Sequence, residues 1–301
     1  MQAHARHSLG VVKPAPFAYH RPRSLEETLD VLARLEEDGE DGKVLAGGQS
    51  LVPLMSMRLA SPSHLVDLNH VPGLAYVEVD PHAVHLGALA RHSRVEHDAA
   101  AYDALPLLRQ ALGQVAHPTI RNRGTTVGSL VHGDPAAELP AVLLLLDGSV
   151  TLRSAHGWRE VPADAFFTGP LETDVRPAEV AVAATYRRPD PGSGTAFVEV
   201  SRRHGDYAVC GVGAVVTETD GAMSAARVAL VGVAPVPVLV DLAPAIHAGS
   251  VDAATATVLV DAAIEPESDI HASADYRRHL AHVLVRRALA EARAAAEAFA
   301  A

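Results

Sequence analysis

The pattern of hydrophobic and polar positions changes its period several times along the chain, and each change predicts a new element. Four leucines recur with helical spacing, Leu25, Leu29, Leu32 and Leu35. Ser24 and Glu27 form a capping-box signature before this stripe, and the predicted helix ends near Gly39. An apolar run at 44–46 then stops at a Gly-Gly turn, and the helical period resumes at Leu51. The stretch is therefore predicted as strand, tight turn and helix.

The other apolar runs predict a mixed chain of strands and helices with short connections. Strands are predicted at 65–68, 75–79, 84–89, 150–153, 180–186, 196–202, 209–217 and 227–233, and helices at 104–115, 251–264 and 274–299. One further helix is predicted with Asp134 as N-cap, Pro135 at its first position and a buried face at 139–146. The last, alanine-rich helix either packs onto its own sheet or binds a partner. Residues 189–194 have the composition of a linker, so a domain boundary is predicted there.

Composition limits the classes of protein that this chain can belong to. With 301 residues, 49% of them hydrophobic, it can bury a large core and is predicted to be globular, with two domains. A net charge of −11 and scattered arginines argue against general nucleic-acid binding. No apolar run reaches the length of a membrane span and the first dozen residues do not resemble a secretory signal, so a cytoplasmic protein is expected.

The cysteine count is informative about redox centres. Cys210 is the only cysteine, which excludes an intrachain disulfide and a cysteine-ligated iron–sulfur cluster within this chain. The 17 histidines form no zincin-type pair, and no metal site is assigned. Any metal redox centre is therefore expected in a partner.

Two glycine-containing motifs carry the candidate chemistry. The first follows the strand at 44–46, and the second is Thr125-Thr126-Val127-Gly128-Ser129. Paired glycines allow close approach of a ligand to the backbone, and the first N–H groups of a helix have no internal partner, which suits a phosphate. A purely structural turn is the alternative for the first motif alone. Two such motifs suggest a ligand with two phosphates.

A third glycine pattern is rejected. The segment 211–216 begins like a dinucleotide fingerprint, but its third glycine is absent and the run continues as a strand instead of opening a helix. Neither glycine motif is followed by the Gly-Lys-Ser/Thr of a Walker loop. The sequence thus favours neither a Rossmann fold nor a Walker-type nucleotide site.

Three segments together resemble a known family. Ala46-Gly47-Gly48-Gln49-Ser50-Leu51, Arg121-Asn122-Arg123-Gly124-Thr125 and Asp134-Pro135-Ala136-Ala137-Glu138 resemble the FAD-binding medium subunit of molybdenum hydroxylases, the group that contains carbon monoxide dehydrogenase and xanthine dehydrogenase. The resemblance runs from about Lys13 to the C-terminus. It implies an α+β fold: a two-part α/β FAD-binding domain of PCMH type at 13–188, divided at about 68, and a smaller α+β domain at 195–301. That second domain is expected to have an antiparallel sheet and a long terminal helix, and residues 1–12 a flexible extension.

The resemblance also implies which residues bind FAD. They are Ala46, Gly47, Gly48, Gln49, Ser50 and Leu51 around the pyrophosphate, Thr125, Thr126, Val127, Gly128 and Ser129 facing the same cofactor, and Glu138 and Tyr207 near the flavin. The family usually has a second glycine at position 127, where this chain has valine. Glu138 is equally explained as a favourable charge in a first helical turn, and Tyr207 as part of a solvent-facing turn. Arg121 and Arg123 either touch phosphate or a partner, or form surface salt bridges. No catalytic residue is assigned.

The function implied by the resemblance is electron relay. FAD in this chain would receive electrons from an iron–sulfur small subunit with [2Fe-2S] clusters, after a molybdopterin large subunit with the molybdenum cofactor has hydroxylated the substrate; a dimer of heterotrimers is expected. A stand-alone FAD-dependent oxidoreductase and a cofactor-free assembly subunit are the alternatives. The substrate (carbon monoxide, a purine or other N-heterocycle, or an aldehyde) and the electron acceptor stay open.

Overall fold

The described residues fold into three main sheets and two small two-stranded sheets, with helices packed against them, which confirms the predicted α+β class. A computed structural model describes residues 13–300, with side chains described as far as residue 298. The predicted flexible extension at 1–12 lies outside the described residues. The three main sheets follow one another along the sequence, and they have three, five and four strands.

The first sheet is small and parallel. Its region contains β1 (Ala18–His20), α1 (Leu25–Glu37), β2 (Gly42–Leu45), α2 (Leu51–Ser56) and β3 (His64–Asp67). Strand β3 lies between β1 and β2 and is parallel to both. Ser24 caps α1 as predicted, because its Oγ accepts the N–H of Glu27 at 3.1 Å. The leucine stripe of α1 is buried in a core shared with Val66 and Leu68.

The second sheet is antiparallel, in the order β4-β5-β10-β6-β7. Its region contains β4 (Val77–Val79), β5 (Ala83–Gly87), α3 (His92–His97), α4 (Ala99–Ala104), α5 (Pro106–Leu112), α6 (Pro118–Arg121), α7 (Thr126–His132), α8 (Glu138–Leu145), β6 (Ser149–Ser154), β7 (Gly157–Pro162), α9 (Ala163–Phe166), β8 (Phe167–Gly169), β9 (Glu172–Thr173) and β10 (Val180–Arg187). The helix predicted at 104–115 is shorter than expected. Leu105 has non-helical dihedral angles, and Pro106 begins α5.

The predicted cap at Asp134 is wrong. Helix α8 begins at Glu138 with Ala137 as its N-cap. Asp134 instead closes a turn: its Oδ1 accepts the N–H of Ala136 at 2.8 Å, and its carbonyl accepts the N–H of Ala137 at 3.0 Å. An aspartate whose side chain accepts a hydrogen bond from a backbone N–H two residues later favours a turn at that position over the start of a helix.

The third sheet is antiparallel, in the order β11-β12-β13-β14, and carries the long last helix, as predicted. Its region contains β11 (Ser193–Ser201), β12 (Ala208–Thr219), β13 (Ala222–Val231), β14 (Val238–Asp241), β15 (Ile246–His247), β16 (Ser250–Val251), α10 (Ala253–Ala263) and α11 (Ala274–Ala300). The segment 211–216 lies inside β12, so the rejected fingerprint is indeed a strand. Helix α11 packs across β11 and β12, which is one of the two roles considered for it.

Helix α8 joins the second and third sheets. All eight of its residues are buried, and it is apolar around its whole circumference after Glu138. One face packs against α5 and α7, and another against β12, β13 and β14. A single core therefore contains Leu143 and Leu145 of α8 together with Phe197 and Val215 of the third sheet.

Candidate cofactor site

A cleft of about 950 Å3 brings both glycine motifs together. All of the predicted site residues line it except Thr126, whose side chain is fully buried elsewhere. One wall is β2 with the turn that follows it, and another is the start of α7. The remaining walls come from residues 171–181 and from the turn before β12.

The first motif lies at the carboxyl end of β2, where ligands commonly bind in sheets with parallel strands. Gly48 has a φ of +72°, a conformation that an L side chain rarely adopts. None of the hydrogen bonds found among the described residues uses the N–H groups of Gly48, Gln49 or Ser50. Three adjacent backbone donors at the start of α2 are therefore free to bind an anion.

Gly47 serves a different purpose from Gly48. A Cβ atom at Gly47 would lie 2.5 Å from the carbonyl oxygen of Arg123 and 2.8 Å from the Cα atom of Gly124. Both neighbours are backbone atoms just before the second motif. The two motifs are thus in direct contact, and only a glycine allows it.

The second motif is the beginning of helix α7. Thr125 is its N-cap, and its Oγ1 accepts the N–H of Gly128 at 3.1 Å. Thr126 is fully buried, and its hydroxyl lies 3.5 Å from Nδ1 of His92. Thr125 and Ser129 line the cleft, whereas Thr126 does not.

Val127 also lines the cleft, although only 2% of its surface is exposed. Its N–H group is used by none of the hydrogen bonds found among the described residues. The position therefore offers a backbone donor together with an apolar side chain. A second glycine there would offer the donor alone.

Several residues that line the cleft escaped the sequence reasoning. Lys43 is one of only two lysines in the chain and lies on β2, directly before the first motif. Arg176, His92 and His132, the last residue of α7, also line the cleft. Burial and the charges of Arg121 and Arg91 lower the pKa of His92 to about 4, so its ring is neutral. Lysine is rare in this chain, and that rarity singled out Lys43 together with Lys13.

Glu138 is a buried carboxyl in the wall of the cleft, with 7% of its surface exposed. Burial, together with the neighbouring carboxyls of Glu199 and Asp134, raises its pKa to about 8. Burial also raises the pKa of Glu199 to about 7. At neutral pH Glu138 therefore holds a proton, and it does not supply the negative charge that a role in stabilising the helix dipole would require.

The sheet register explains why the two glutamates are close. Glu199 of β11 pairs with Gly211 of β12, which pairs with Val231 of β13. The next residue, Gly232, donates its N–H to the carbonyl of Pro135 at 2.9 Å, just before α8. Oε2 of Glu199 is buried without a hydrogen-bond partner among the described residues.

Tyr207 lies at the mouth of the cleft, with 63% of its surface exposed. Partial desolvation in the cleft and the carboxyl groups of Asp134 and Glu138 raise the pKa of its phenol to about 12. The ring therefore stays protonated and uncharged. An exposed aromatic ring at the edge of a cleft offers a stacking surface to a planar ligand.

Arg121 does not reach the cleft. Its Nε donates to Oε2 of Glu96 at 2.8 Å, and its NH1 donates to the carbonyl of Val115 at 2.9 Å. Only 9% of the residue is exposed, so this is a buried ion pair and neither a phosphate contact nor a surface salt bridge. It fixes the loop that precedes α6.

Two further findings concern the described residues only. They contain no group of three or more His, Cys, Asp or Glu side chains placed to hold a metal ion. None of their helices is both long enough and apolar enough to cross a membrane.

The chemistry of the cleft fits a dinucleotide with a pyrophosphate. Free N–H groups lie in two motifs that touch each other at Gly47 and Gly124, and Lys43 and Arg176 also line the cleft. The cleft continues to an aromatic ring and a protonated carboxyl, which suit a polar, planar group.

Comparisons with known families agree on both halves of the chain. Residues 15–185 match the family described as FAD binding domain in molybdopterin dehydrogenase. Residues 195–292 match the CO dehydrogenase flavoprotein C-terminal domain.

Individual relatives match over nearly the whole chain. The 6-hydroxypseudooxynicotine dehydrogenase complex subunit alpha of Paenarthrobacter nicotinovorans is 40% identical, over 93% of this chain and 96% of its own. Carbon monoxide dehydrogenase from Hydrogenophaga pseudoflava has a chain of known structure that is 35% identical, with a TM-score of 0.87 over 93% of this chain and 98% of that one. Quinoline 2-oxidoreductase from Pseudomonas putida 86 has a chain of known structure that is 36% identical to this one, with a TM-score of 0.86 over 94% of this chain and 99% of that chain.

Proposed function

This chain belongs to the family of FAD-binding medium subunits of molybdenum hydroxylases, and we propose that it is the electron-transfer flavoprotein subunit of such a complex. The observation that carries the proposal is the contact between the two glycine motifs, each with unused N–H groups, in a cleft large enough for a dinucleotide. Bound FAD would supply the electron-transfer chemistry between an iron–sulfur subunit and an external acceptor. The protein's part is to bind and orient it.

We assign the pyrophosphate to the backbone around Gly48, Gln49 and Ser50. These donors point from a helix start and need no side-chain rearrangement to bind an anion. The N–H of Val127 adds a donor from the second motif, and Lys43 supplies positive charge. The otherwise carboxylate-rich rim, with Glu36, Glu40 and Asp41, gives no attraction of its own to a phosphate.

We assign the flavin ring to the end of the cleft formed by Glu138 and Tyr207. Tyr207 covers one side of this end and limits entry from solvent. Glu138 presents a protonated carboxyl that can donate one hydrogen bond to a ring heteroatom. Both groups are uncharged at neutral pH, so neither opposes the negative charge that a reduced flavin carries.

The partners follow from the family and from the chain's own chemistry. Its single cysteine, Cys210, is fully buried in the third sheet, and burial raises the pKa of its thiol to about 12. It is therefore an inert core residue. We propose that an iron–sulfur small subunit and a molybdopterin large subunit complete the enzyme in the cytoplasm, as a dimer of heterotrimers. The large subunit would select the substrate.

The experiment is to purify the tagged chain from its native host with whatever accompanies it, and to measure released flavin, molybdenum and iron in the same sample. FAD together with both metals is the expected result. FAD alone, with substrate-dependent turnover, would identify a stand-alone flavoenzyme instead. An intact three-subunit complex without flavin would overturn the assignment of the cleft to FAD.

A further inference from the structure

A chain of polar side chains behind the cleft links the two glycine motifs. Asn69 follows β3, and its Nδ2 donates to the carbonyl oxygen of Ala46 at 2.8 Å. Arg91 precedes α3, and its NH2 donates to Oδ1 of Asn69 while its NH1 donates to the carbonyl of Arg123. We call Asn69 and Arg91 the brace. It connects the residue before the first glycine pair to the residue before Gly124.

The amide of Asn69 is oriented by Asp67. Oδ1 of Asp67 accepts both the backbone N–H and the Nδ2 of Asn69, at 2.9 and 2.5 Å. The other carboxylate oxygen accepts the hydroxyl of Tyr19 at 2.5 Å. Burial alone would raise the pKa of Asp67, but the hydrogen bonds from Tyr19 and Asn69 outweigh burial and hold the pKa below its usual value. The ionised carboxylate therefore fixes Nδ2 toward Ala46 and leaves Oδ1 for Arg91.

Backbone hydrogen bonds place Arg91 beside the second motif. The N–H of His92 donates to the carbonyl of Gly124 at 3.0 Å, and the N–H of Thr126 donates to the carbonyl of Ala90 at 3.1 Å. Arg91 and Thr125 thus form a short antiparallel bridge. The guanidinium then reaches back to Asn69, so the brace spans from one motif to the other.

The brace acts on the cleft without entering it. Neither Asn69 nor Arg91 lines the cleft. The carbonyl of Arg123 that accepts from Arg91 is the same atom that lies 2.5 Å from a Cβ placed on Gly47. Arg91 therefore holds one motif at the point where the other touches it.

We propose that Asn69 and Arg91 are positioning residues that set the spacing of the two pyrophosphate-binding motifs and thereby the affinity for FAD. This inference rests on the proposed function. Without the brace, the free N–H groups of the first motif and the N–H group of Val127 no longer converge on one bound anion. The weakening should therefore appear with any ligand that carries the pyrophosphate, and not with FAD alone.

The test measures dissociation constants of FAD and of ADP for the flavin-free full chain. Arg91→Gln should weaken both about 10- to 100-fold, the range expected for lost hydrogen bonds to a charged group. Arg91→Lys keeps the charge but lacks the planar fork with which the guanidinium reaches two separated acceptors, and should restore only part of the affinity. Arg94→Gln is the matched control, because Arg94 lies in α3, the helix that Arg91 precedes, and donates to the carbonyl of Ala75, away from both motifs.

A double-mutant cycle separates positioning from general destabilisation. Asn69→Ala and Arg91→Gln break the same link, so their combined effect on ADP binding should be clearly smaller than the product of the two single effects. Asn69→Ala and Arg94→Gln should combine independently. If Arg91→Gln does not fold, the Arg91→Lys and Asn69→Ala variants give the same comparison.

The outcomes are distinct. If Arg91→Gln and Asn69→Ala bind FAD and ADP as tightly as Arg94→Gln, or if their effects multiply, the brace does not position the motifs. A wild-type chain that binds neither ligand would instead overturn the proposed function.

Discussion

Glu138→Gln gives a direct test of the protonated carboxyl in the wall of the cleft. In the folded, flavin-free chain the pKa of Glu138 is raised from 4.5 to about 8, mainly by burial. Between these two values the unfolded chain has lost the proton while the folded chain still holds it. Unfolding therefore releases a proton, and the free energy of unfolding falls as pH rises through this window.

The size of the effect follows from the shift. Each pH unit inside the window costs about 1.4 kcal/mol, so the wild-type chain should lose about 2 kcal/mol through Glu138 between about pH 6 and about pH 8. Glutamine matches the shape of the protonated carboxyl and does not titrate. The difference in the free energy of unfolding between the variant and the wild type should thus shift by about 2 kcal/mol in favour of the variant from about pH 6 to about pH 8. Glu199 still titrates in both proteins.

The assay is urea denaturation of the flavin-free chain at about pH 6, 7 and 8, with the free energy of unfolding extrapolated to water. Glu26→Gln is the control, because Glu26 also lies in a first helical turn but is exposed. Its free energy of unfolding should change with pH in the same way as that of the wild type. Parallel curves for Glu138→Gln as well would refute the reasoning, since they would mean that Glu138 is ionised in the folded chain.

Three further substitutions test other parts of the structure. Gly47→Ala places a Cβ against the backbone of Arg123 and should weaken FAD binding at least about tenfold in a titration; unchanged affinity would contradict the contact between the motifs. Tyr186→Phe removes a fully buried hydroxyl without a partner among the described residues, and should raise the free energy of unfolding by about 1 kcal/mol. Glu96→Ala leaves Arg121 buried without its carboxylate partner and should lower the free energy of unfolding, measured in urea, by about 3 kcal/mol. A loss below about 1 kcal/mol would show that the hydrogen bonds from Arg121 to backbone carbonyls are enough to stabilise its buried charge.

The fold and the first motif could be predicted because their signals are local. The leucine stripe of α1 repeats with helical spacing, and Ser24 marks where it begins. At the first motif, two glycines between an apolar run and a helical pattern imply a special backbone conformation, and Gly48 has one. The runs that become strands of the third sheet, and the helical pattern of α11, were also local, and recognition of the family added that these strands form one antiparallel sheet.

What could not be predicted depends on contacts between distant residues. Helix α7 begins Thr-Thr-Val-Gly, residues with low helix propensity, and it forms because Val127 and Leu130 are buried in the core. Glu199 reaches Glu138 only through the register of three strands. Asn69 and Arg91 stand 22 residues apart and meet only in the fold. No local pattern carries this information.

Helix α8 has a consequence for how such subunits can be recombined. It lies within the residues matched by the FAD-binding domain, yet its far side is covered by the sheet of the C-terminal domain. A chimera cut at the linker would set the apolar surface of α8 from one protein against the sheet of another. The unit that can be exchanged between relatives is therefore the third sheet together with residues 138–146, and a graft that respects only the sequence boundary should yield insoluble protein.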